Sequence, residues 1–155
     1  MKKLSPEEGY ARYAFEYDDK EKYWDSFEHG CFDPYLKMIE GKEVLDAGAG
    51  TGRLSMKMLK AGANVTALDV SAEMLQKIQQ KTGQIETVLA DMEAMPFADN
   101  SFDFVFSSMA MVHLKKVDRF LDECYRIVKE GGLVCILNIH YRKPLILRDG
   151  QGATP

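Results

Sequence analysis

One carboxylate and three alternating glycines stand directly after the first strongly apolar stretch of the chain. Val44 to Gly52 reads VLDAGAGTG, so Asp46 is followed by Gly48, Gly50 and Gly52. Glycine lets a backbone turn with positive φ and lets a ligand approach main-chain atoms closely. A helix that follows such a turn directs unpaired N–H groups toward the same place. The pattern predicts a site for a nucleotide-like ligand at the carboxyl ends of the strands.

The spacing of these glycines separates the classes of nucleotide site. The dinucleotide fingerprint would need its third glycine at position 53, which is Arg53 here, and the Gly-Lys-Ser/Thr of a P-loop does not follow. Asp69 ends the second predicted strand, where a carboxylate can accept hydrogen bonds from both hydroxyls of an unmodified ribose and would repel a 2′-phosphate. NADP is therefore disfavoured on two independent grounds, and an NAD-dependent oxidoreductase is a distant alternative.

Four stretches of the chain resemble, in order, the motifs of class I S-adenosylmethionine (SAM)-dependent methyltransferases. Asp46 to Gly52 looks like the first motif of that family, and Leu68 to Ser71 looks like its acidic second motif. Ala90 to Phe97 and Asn100 to Ser108 are similar to the adenine-binding loop and the fourth strand of the small-molecule branch. The ordered match runs from about residue 42 to 139 and is much more specific than a lone glycine motif.

The resemblance implies how SAM and its product S-adenosylhomocysteine would be held. Asp46 and the turn from Gly48 to Gly52 would hold the methionine part, and Asp69 would hold the ribose. A carboxylate that only stabilises the turn is the plainer alternative for Asp46. Asp103, at the start of the fourth predicted strand, is expected to brace that strand and not to contact the ligand.

The adenine and methyl ends of the cofactor are also assigned by the resemblance. Asp91 would accept a hydrogen bond from the adenine amino group, unless it only caps its loop, and Val70 and Met92 would lie on the two sides of the ring. Ser107 would line the methyl end. The implied cofactor-binding set is Asp46, Gly48, Ala49, Gly50, Thr51, Gly52, Asp69, Val70, Asp91, Met92 and Ser107.

Methyl transfer from a sulfonium is an in-line displacement, so the protein mainly has to align the acceptor and exclude water. An amine or hydroxyl acceptor benefits from a general base, whereas a carboxylate acceptor needs none. His113, past the fourth predicted strand, and His140, past the fifth, are the candidate catalytic residues. A structural hydrogen bond to a backbone carbonyl is the alternative for His113.

The elements that must position these residues alternate between short apolar runs and stretches of helical period. Strands are predicted over 42–47, 64–69, 85–90, 102–107 and 133–139. A helix is predicted over 51–60 and ends at Ala61-Gly62. A second helix is predicted to begin after Ser71, which caps it, and a third is predicted over 118–129 and is closed by Gly131-Gly132. With the resemblance, this alternation predicts an α/β fold, a Rossmann-like three-layer sandwich. Its sheet has five strands, mostly parallel, in the order 3-2-1-4-5, with helices on both faces.

One domain is predicted over 1–155, with an N-terminal helical lid or cap over 1–40, a core over 42–139 and a short tail over 140–155. Asp33-Pro34 looks like the start of a helix through Glu40. The tail is too short for the helix and strand pair with which the family usually continues. The fifth strand is therefore expected to be an apolar sheet edge, through which a homodimer could form. The leading alternative to an enzyme is a non-catalytic SAM-binding or interaction protein of the same fold.

Composition sets outer limits on partners and location. The chain has 155 residues, 46% hydrophobic and 28% charged, as expected for one soluble globular domain. A net charge of −4 disfavours a nucleic-acid partner, and no signal peptide or membrane span is recognised. Cys31, Cys124 and Cys135 lack metal-ligand spacing and are expected to be reduced thiols, with no metal bound. The sequence thus predicts a cytoplasmic SAM-dependent methyltransferase that acts on a small molecule.

Overall fold

A parallel sheet of five strands organises the chain. The computed structural model describes Glu28 and residues 30–138. The strands are β1 (Glu43–Ala47), β2 (Asn64–Asp69), β3 (Glu86–Leu89), β4 (Phe102–Ser108) and β5 (Val128–Leu137). Their order is β3-β2-β1-β4-β5, and every neighbouring pair is parallel. The predicted order is confirmed, and it reverses between β1 and β4, where open α/β sheets place their ligands.

Helices cover both faces of this sheet, as predicted. The helices are α1 (Asp33–Leu36), α2 (Arg53–Lys60), α3 (Ala72–Lys81) and α4 (Val117–Ile127), with a 3₁₀ turn at Met111–His113. One apolar core joins α2 and α3 to one sheet face and includes Leu54, Met58, Ile78 and Phe106. A second core joins α4 and the loop after β3 to the other face and includes Leu45, Met92, Phe120 and Ile127.

The local signals at helix ends correspond to the predicted chemistry. Ser71 caps α3, because its hydroxyl accepts a hydrogen bond from the Met74 N–H at 3.3 Å. Gly62 follows α2 at φ +85°, and its N–H donates to the Leu59 carbonyl. Asp103 braces the start of β1, since its carboxylate accepts the Glu43 N–H at 2.9 Å.

Two local predictions were wrong, and the fifth strand begins at Val128 and not at residue 133 as predicted. The helix expected from Asp33 through Glu40 ends at Leu36, because the chain turns there and carries Ile39 into the core, where it is fully buried. The Gly131-Gly132 pair does not close a helix, since α4 ends at Ile127 and both glycines lie inside β5.

Close contact between β4 and β5 explains the second error. A Cβ atom on Gly132 would lie 2.7 Å from the Asp103 carbonyl oxygen, which no side chain tolerates. The pairing register also shifts between Phe102 and Phe104. Glycines at an irregular strand pairing are a known way to let two backbones approach.

One side chain of α4 holds the long connection between β3 and β4. The Arg126 guanidinium donates to the Phe97 carbonyl at 2.7 Å and to the Met95 carbonyl at 3.0 Å. It also pairs with Asp99 at 2.9 Å and with Glu123 at 2.8 Å.

No helix in the part of the chain that the structure describes is long and apolar enough to cross a membrane.

Replacing Arg126 with methionine keeps the aliphatic stem but removes these donors. We expect Arg126→Met to lower the free energy of unfolding by about 1–3 kcal/mol, because two carbonyls and two carboxylates lose a charged partner. Urea denaturation measures this difference. Lys60→Met, at an exposed position, is the matched control and should change the free energy of unfolding by less than about 0.5 kcal/mol. Equal effects of the two substitutions would contradict the role of Arg126.

Candidate functional site

The turn after β1 is fastened to the end of β2 by backbone hydrogen bonds. The N–H groups of Gly48 and Ala49 both donate to the Leu68 carbonyl, at 2.8 and 3.0 Å. The Gly50 N–H donates to the Asp69 carboxylate at 2.8 Å. These bonds leave the turn in one conformation at the carboxyl end of the sheet.

The glycines of this turn have different physical reasons to be glycine. A Cβ atom on Gly48 would lie 2.4 Å from the Ala110 Cβ, so this position lets the turn approach the segment after β4. Gly52 packs against Ile78 of α3 in the same way. Gly50, at φ +55°, has no atom of the described residues within 4 Å of the position of a Cβ. Gly50 therefore faces the open side of the turn, where a ligand has access to the backbone.

Asp69 is a buried carboxylate whose known hydrogen bonds come from the backbone. It is 9% exposed and accepts N–H groups from Gly50 and from Ser71, the latter at 2.9 Å. Burial raises the pKa of Asp69 above its ordinary value, although these N–H groups oppose the shift. Each carboxylate oxygen can accept a further hydrogen bond, so the predicted contact with two hydroxyls is chemically available.

Asp46 lies behind the turn and points toward α2. It is 1% exposed, and the Ser55 hydroxyl donates to its carboxylate at 2.5 Å. Burial raises the pKa of Asp46 to about 6; Ser55 and Arg53 oppose this shift, and the negative charges of Asp69 and Glu28 add to it. Asp46 is thus bonded to the first turn of α2, directly after the glycine turn, and places a negative charge there when it is ionised.

The residues expected at the adenine end come together near the ends of β2 and β3. Val70 is half-buried, and Met92 is 6% exposed and packs in the core on the α4 face. Asp91 is exposed, and its carboxylate accepts the Glu93 N–H at 2.8 Å, so it does cap its loop. Glu93 in turn accepts the N–H groups of Lys115 and Lys116, which ties this loop to the segment before α4.

The end of β4 carries an unsatisfied hydroxyl and a strained residue. Ser107 is 1% exposed, and its Oγ atom has no hydrogen-bond partner among the described residues. Buried polar atoms are rarely left without a partner, so such an atom at a ligand-binding edge is a reason to expect one from a ligand. Met109 has φ +59°, a left-handed conformation that is uncommon for a residue with a side chain and that concentrates at functional sites.

The most substantial feature that sequence reasoning missed is Glu28. Its carboxylate is buried and accepts a hydrogen bond from Arg53 at 2.7 Å and one from the Ser108 hydroxyl at 2.6 Å. Lys57 lies 3.5 Å away. The sequence signal that could have indicated a carboxylate here is the pair of cations Arg53 and Lys57, which lie four residues apart on the same side of α2.

The described residues do not show either candidate histidine in a catalytic arrangement. His113 ends the 3₁₀ turn after β4; burial lowers its pKa, while the nearby negative charge of Asp69 opposes that shift. His113 is therefore near the carboxylate predicted to hold the ribose. His140 lies outside the described residues. Within those residues no cluster of side chains could hold a metal ion, and Cys31, Cys124 and Cys135 are free thiols.

Comparison with known proteins identifies relatives of this chain. A malonyl-[acyl-carrier protein] O-methyltransferase from Pectobacterium atrosepticum is 39% identical over 71% of this chain and 49% of its own length. A demethylmenaquinone methyltransferase from Renibacterium salmoninarum is 38% identical over 63% of this chain and 41% of its own length. The chain thus spans about half, or less, of the curated relatives that it matches.

Solved structures and a protein family agree with these relatives. An S-adenosylmethionine-dependent methyltransferase from Mesorhizobium loti superposes with a TM-score of 0.61 at 25% identity, covering 66% of this chain and 51% of that one. Residues 45–136 match the family described as a methyltransferase domain, and this match includes the glycine turn, Asp69, Asp91 and Ser107. Because the match covers more than half of the chain, this protein belongs to the methyltransferase domain family.

Proposed function

We propose that this chain binds SAM at the turn after β1 and transfers its methyl group to a small-molecule acceptor. The observation that carries the proposal is the open face of Gly50, which stands beside the buried Asp69 carboxylate at the point where the strand order reverses. The family match and the relatives named above support the same activity.

The residues present fit the parts of SAM. In this proposal Asp69 accepts hydrogen bonds from the ribose hydroxyls, and the backbone from Gly48 to Gly52 contacts the methionine part. Asp91, which is exposed and has an oxygen free of its loop bond, accepts from the adenine amino group. Val70 and Met92 contact the ring, and the unsatisfied Ser107 hydroxyl lies at the methyl end.

Electrostatics favours SAM over a dinucleotide. The turn is bordered by the carboxylates of Asp46 and Asp69; burial raises the pKa of each, and a cation bound beside them would favour their ionised forms. SAM brings a sulfonium and an ammonium group, whereas the pyrophosphate of NAD would bring negative charge to the same place. The presence of Arg53 where the dinucleotide fingerprint has glycine supports the same choice.

When bound, SAM supplies an electrophilic methyl group on its sulfonium. The work of this chain is then to hold that end of the cofactor, orient the acceptor and keep water away. The end of β4, with Ser107 and Met109, and the following turn with His113 border this place. In this proposal His113 remains a candidate base for acceptors that must lose a proton, and a carboxylate acceptor would not use it.

The relatives differ in their acceptors, so the proposal stays at the level of a small molecule. Two of them are named for the molecules that they methylate, a malonyl-[acyl-carrier protein] and a demethylmenaquinone. A thioester-linked carboxylate and a quinone have little chemistry in common. This chain matches the part that these proteins share, and that part supports SAM as the common cofactor.

Organisation and assembly form a further part of the proposal. We propose a single domain whose core, residues 42–139, contributes the cofactor contacts. The lid or cap expected over 1–40 and the tail expected over 140–155 lie outside the described residues, apart from Glu28 and residues 30–40. Among the described strands β5 pairs with β4 alone, and its Leu133 and Val134 are each 38% exposed. We propose a homodimer through this exposed edge, and the net charge of −4 supports the absence of a nucleic-acid partner. The free thiols of Cys31, Cys124 and Cys135 support a cytoplasmic location.

The cofactor assignment is tested by calorimetric titration with SAM, S-adenosylhomocysteine and NAD. We expect both adenosyl ligands to bind and NAD not to bind. Asp69→Ala should weaken SAM binding by about 1.5–3 kcal/mol, because charged hydrogen bonds to the ribose are lost. An analogue without the 2′-hydroxyl should bind the wild type less tightly than S-adenosylhomocysteine, whereas Asp69→Ala should bind the two equally. NAD binding that outcompetes SAM would overturn the proposal, and SAM binding without turnover on carboxylate, hydroxyl and amine acceptors would favour the non-catalytic alternative.

Gly50 offers a second test with a matched control. Gly50 and Gly41 both have positive φ, +55° and +69°, and both have open space where a Cβ would stand. Alanine at either position should cost about 1–2 kcal/mol of stability, because both positions are left-handed. Only Gly50→Ala should also weaken SAM binding, by roughly tenfold or more, since its methyl group would occupy the ligand side of the turn. Equal SAM affinity in the two variants would show that the ligand does not approach Gly50.

The titration of Asp46 predicts how stability depends on pH. Because its pKa in the folded chain is about 6 against an ordinary value of 3.8, its stabilising contribution is present below about pH 4 and is lost as the pH rises through 6. Asp46→Asn keeps an acceptor for Ser55 but does not titrate. Between pH 4 and 7 the wild type should therefore lose up to about 3 kcal/mol relative to Asp46→Asn, as measured by urea denaturation. A constant difference across this range would contradict the raised pKa.

A further inference from the structure

Glu28 connects two parts of the chain that border the proposed cofactor site. One oxygen of its carboxylate accepts from Arg53 at 2.7 Å, and the other accepts from the Ser108 hydroxyl at 2.6 Å and from the second guanidinium nitrogen of Arg53. The side chain of Glu28 is 4% exposed and that of Arg53 is 14% exposed. This is a buried, bidentate ion pair with a third hydrogen bond.

The two partners of Glu28 come from different elements at the sheet's carboxyl end and also lie close to each other, because the Arg53 guanidinium is 3.5 Å from the Ser108 hydroxyl. Arg53 is the first residue of α2 and follows Gly52 directly, so its position is linked to the exit of the glycine turn. Ser108 is the last residue of β4 and follows Ser107, whose hydroxyl is unsatisfied. Strands β1 and β4 are neighbours, with Asp46 opposite Phe106. Glu28 therefore bridges the turn after β1 and the end of β4, between which the methionine part of SAM is proposed to bind.

The charges explain why this bridge needs a carboxylate. A cation at the first residue of a helix is unfavourable, since the helix dipole already places positive charge there. The Glu28 carboxylate offsets both that dipole and the Arg53 guanidinium, and Lys57 is 3.5 Å away. Burial by itself would raise the pKa of Glu28, but the hydrogen bonds from Arg53 and Ser108 outweigh it and hold the pKa below its ordinary value. Glu28 is thus ionised at neutral pH and committed to these partners.

We propose that Glu28 is a positioning residue of the cofactor site. By holding Arg53 and Ser108 it sets the distance between the glycine turn and the end of β4, and SAM binding is thereby coupled to the docking of the segment that carries Glu28. This inference rests on the proposed function. Through this one contact a residue that precedes β1 becomes part of the site. Glu28 belongs to neither the glycine motif nor the acidic motif.

A double-mutant cycle on Glu28 and Arg53 tests the coupling. Glu28→Gln and Arg53→Met should each weaken SAM binding in calorimetry by at least about tenfold, and the double variant should be no weaker than either single variant. The matched control is Lys129→Met, which breaks the 3.1 Å ion pair with Asp103 at the amino end of β4, the other end of that strand from Ser108. That variant should leave the SAM affinity unchanged even where it lowers the stability.

A second readout separates positioning from general stability. Coupling is reciprocal, so SAM should slow hydrogen exchange in the peptide that contains Glu28 and Cys31 in the wild type, and should do so much less in Arg53→Met. Ser108→Ala removes one hydrogen bond and keeps the ion pair, so it gives a folded variant if Glu28→Gln does not fold. It should weaken SAM binding by at least about threefold.

The outcomes distinguish this inference from the proposed function. If the wild type does not bind SAM, the proposed function fails. If the wild type binds SAM while Glu28→Gln, Arg53→Met and Ser108→Ala bind it equally well, the proposed function stands and the role of Glu28 is overturned. Independent, additive losses in the double variant would also overturn it, because the two residues would then not act as a unit.

Discussion

The hydrogen bond from the Gly50 N–H to the Asp69 carboxylate is the contact on which the site depends. It joins the tightest part of the turn after β1 to the end of β2, and the Gly48 and Ala49 N–H groups reinforce it at the Leu68 carbonyl. Because β1 and β2 are parallel neighbours and pair up to Ala47 and Leu68, the turn begins directly beside the end of β2. Asp69 is therefore both the brace of the turn and the acidic group beside its open face.

Burial of carboxylates gives this corner its chemical character. Asp46, Asp69 and Glu28 are all buried within the region around the turn, and burial opposes ionisation of each of them. Among these three, only Glu28 has cations as direct hydrogen-bond partners in the described part of the chain, whereas the Ser55 hydroxyl bonds to Asp46 and backbone N–H groups bond to Asp69. Burial holds the pKa of Asp46 and of Asp69 above its ordinary value, and a cation that binds at the turn would favour their ionised forms.

The rest of the fold keeps these groups in place from a distance. The two apolar cores fix the strands, and residues of α4 hold the loop that follows β3 through Arg126 and Glu123. Glu93 ties the same loop to the segment before α4. The proposed adenine end is thus built from a loop without regular structure, and it is ordered by hydrogen bonds from a helix on the opposite side of the loop.

Much of the fold was readable from the sequence because its signals are local. The apolar runs of the strands, the cap at Ser71 and the glycines after β1 and α2 each act within a few residues. The same holds for the acidic residue that ends β2. The strand order followed from the resemblance and was confirmed, whereas the helix expected through Glu40 and the role of Gly131-Gly132 were wrong, because both depend on what packs against them.

The sequence by itself determined the chemistry at the turn, namely glycines that admit a ligand and a carboxylate that ends the next strand. The residues that complete the site came into view only with the folded chain. The contacts of Glu28 with Arg53 and Ser108 span 25 and 80 positions of the chain, and the burial of Ser107 without a partner among the described residues is likewise a result of packing in space. Periodicity and spacing describe neighbours along the chain. Burial, and with it the raised pKa of Asp46, arises from neighbours in space.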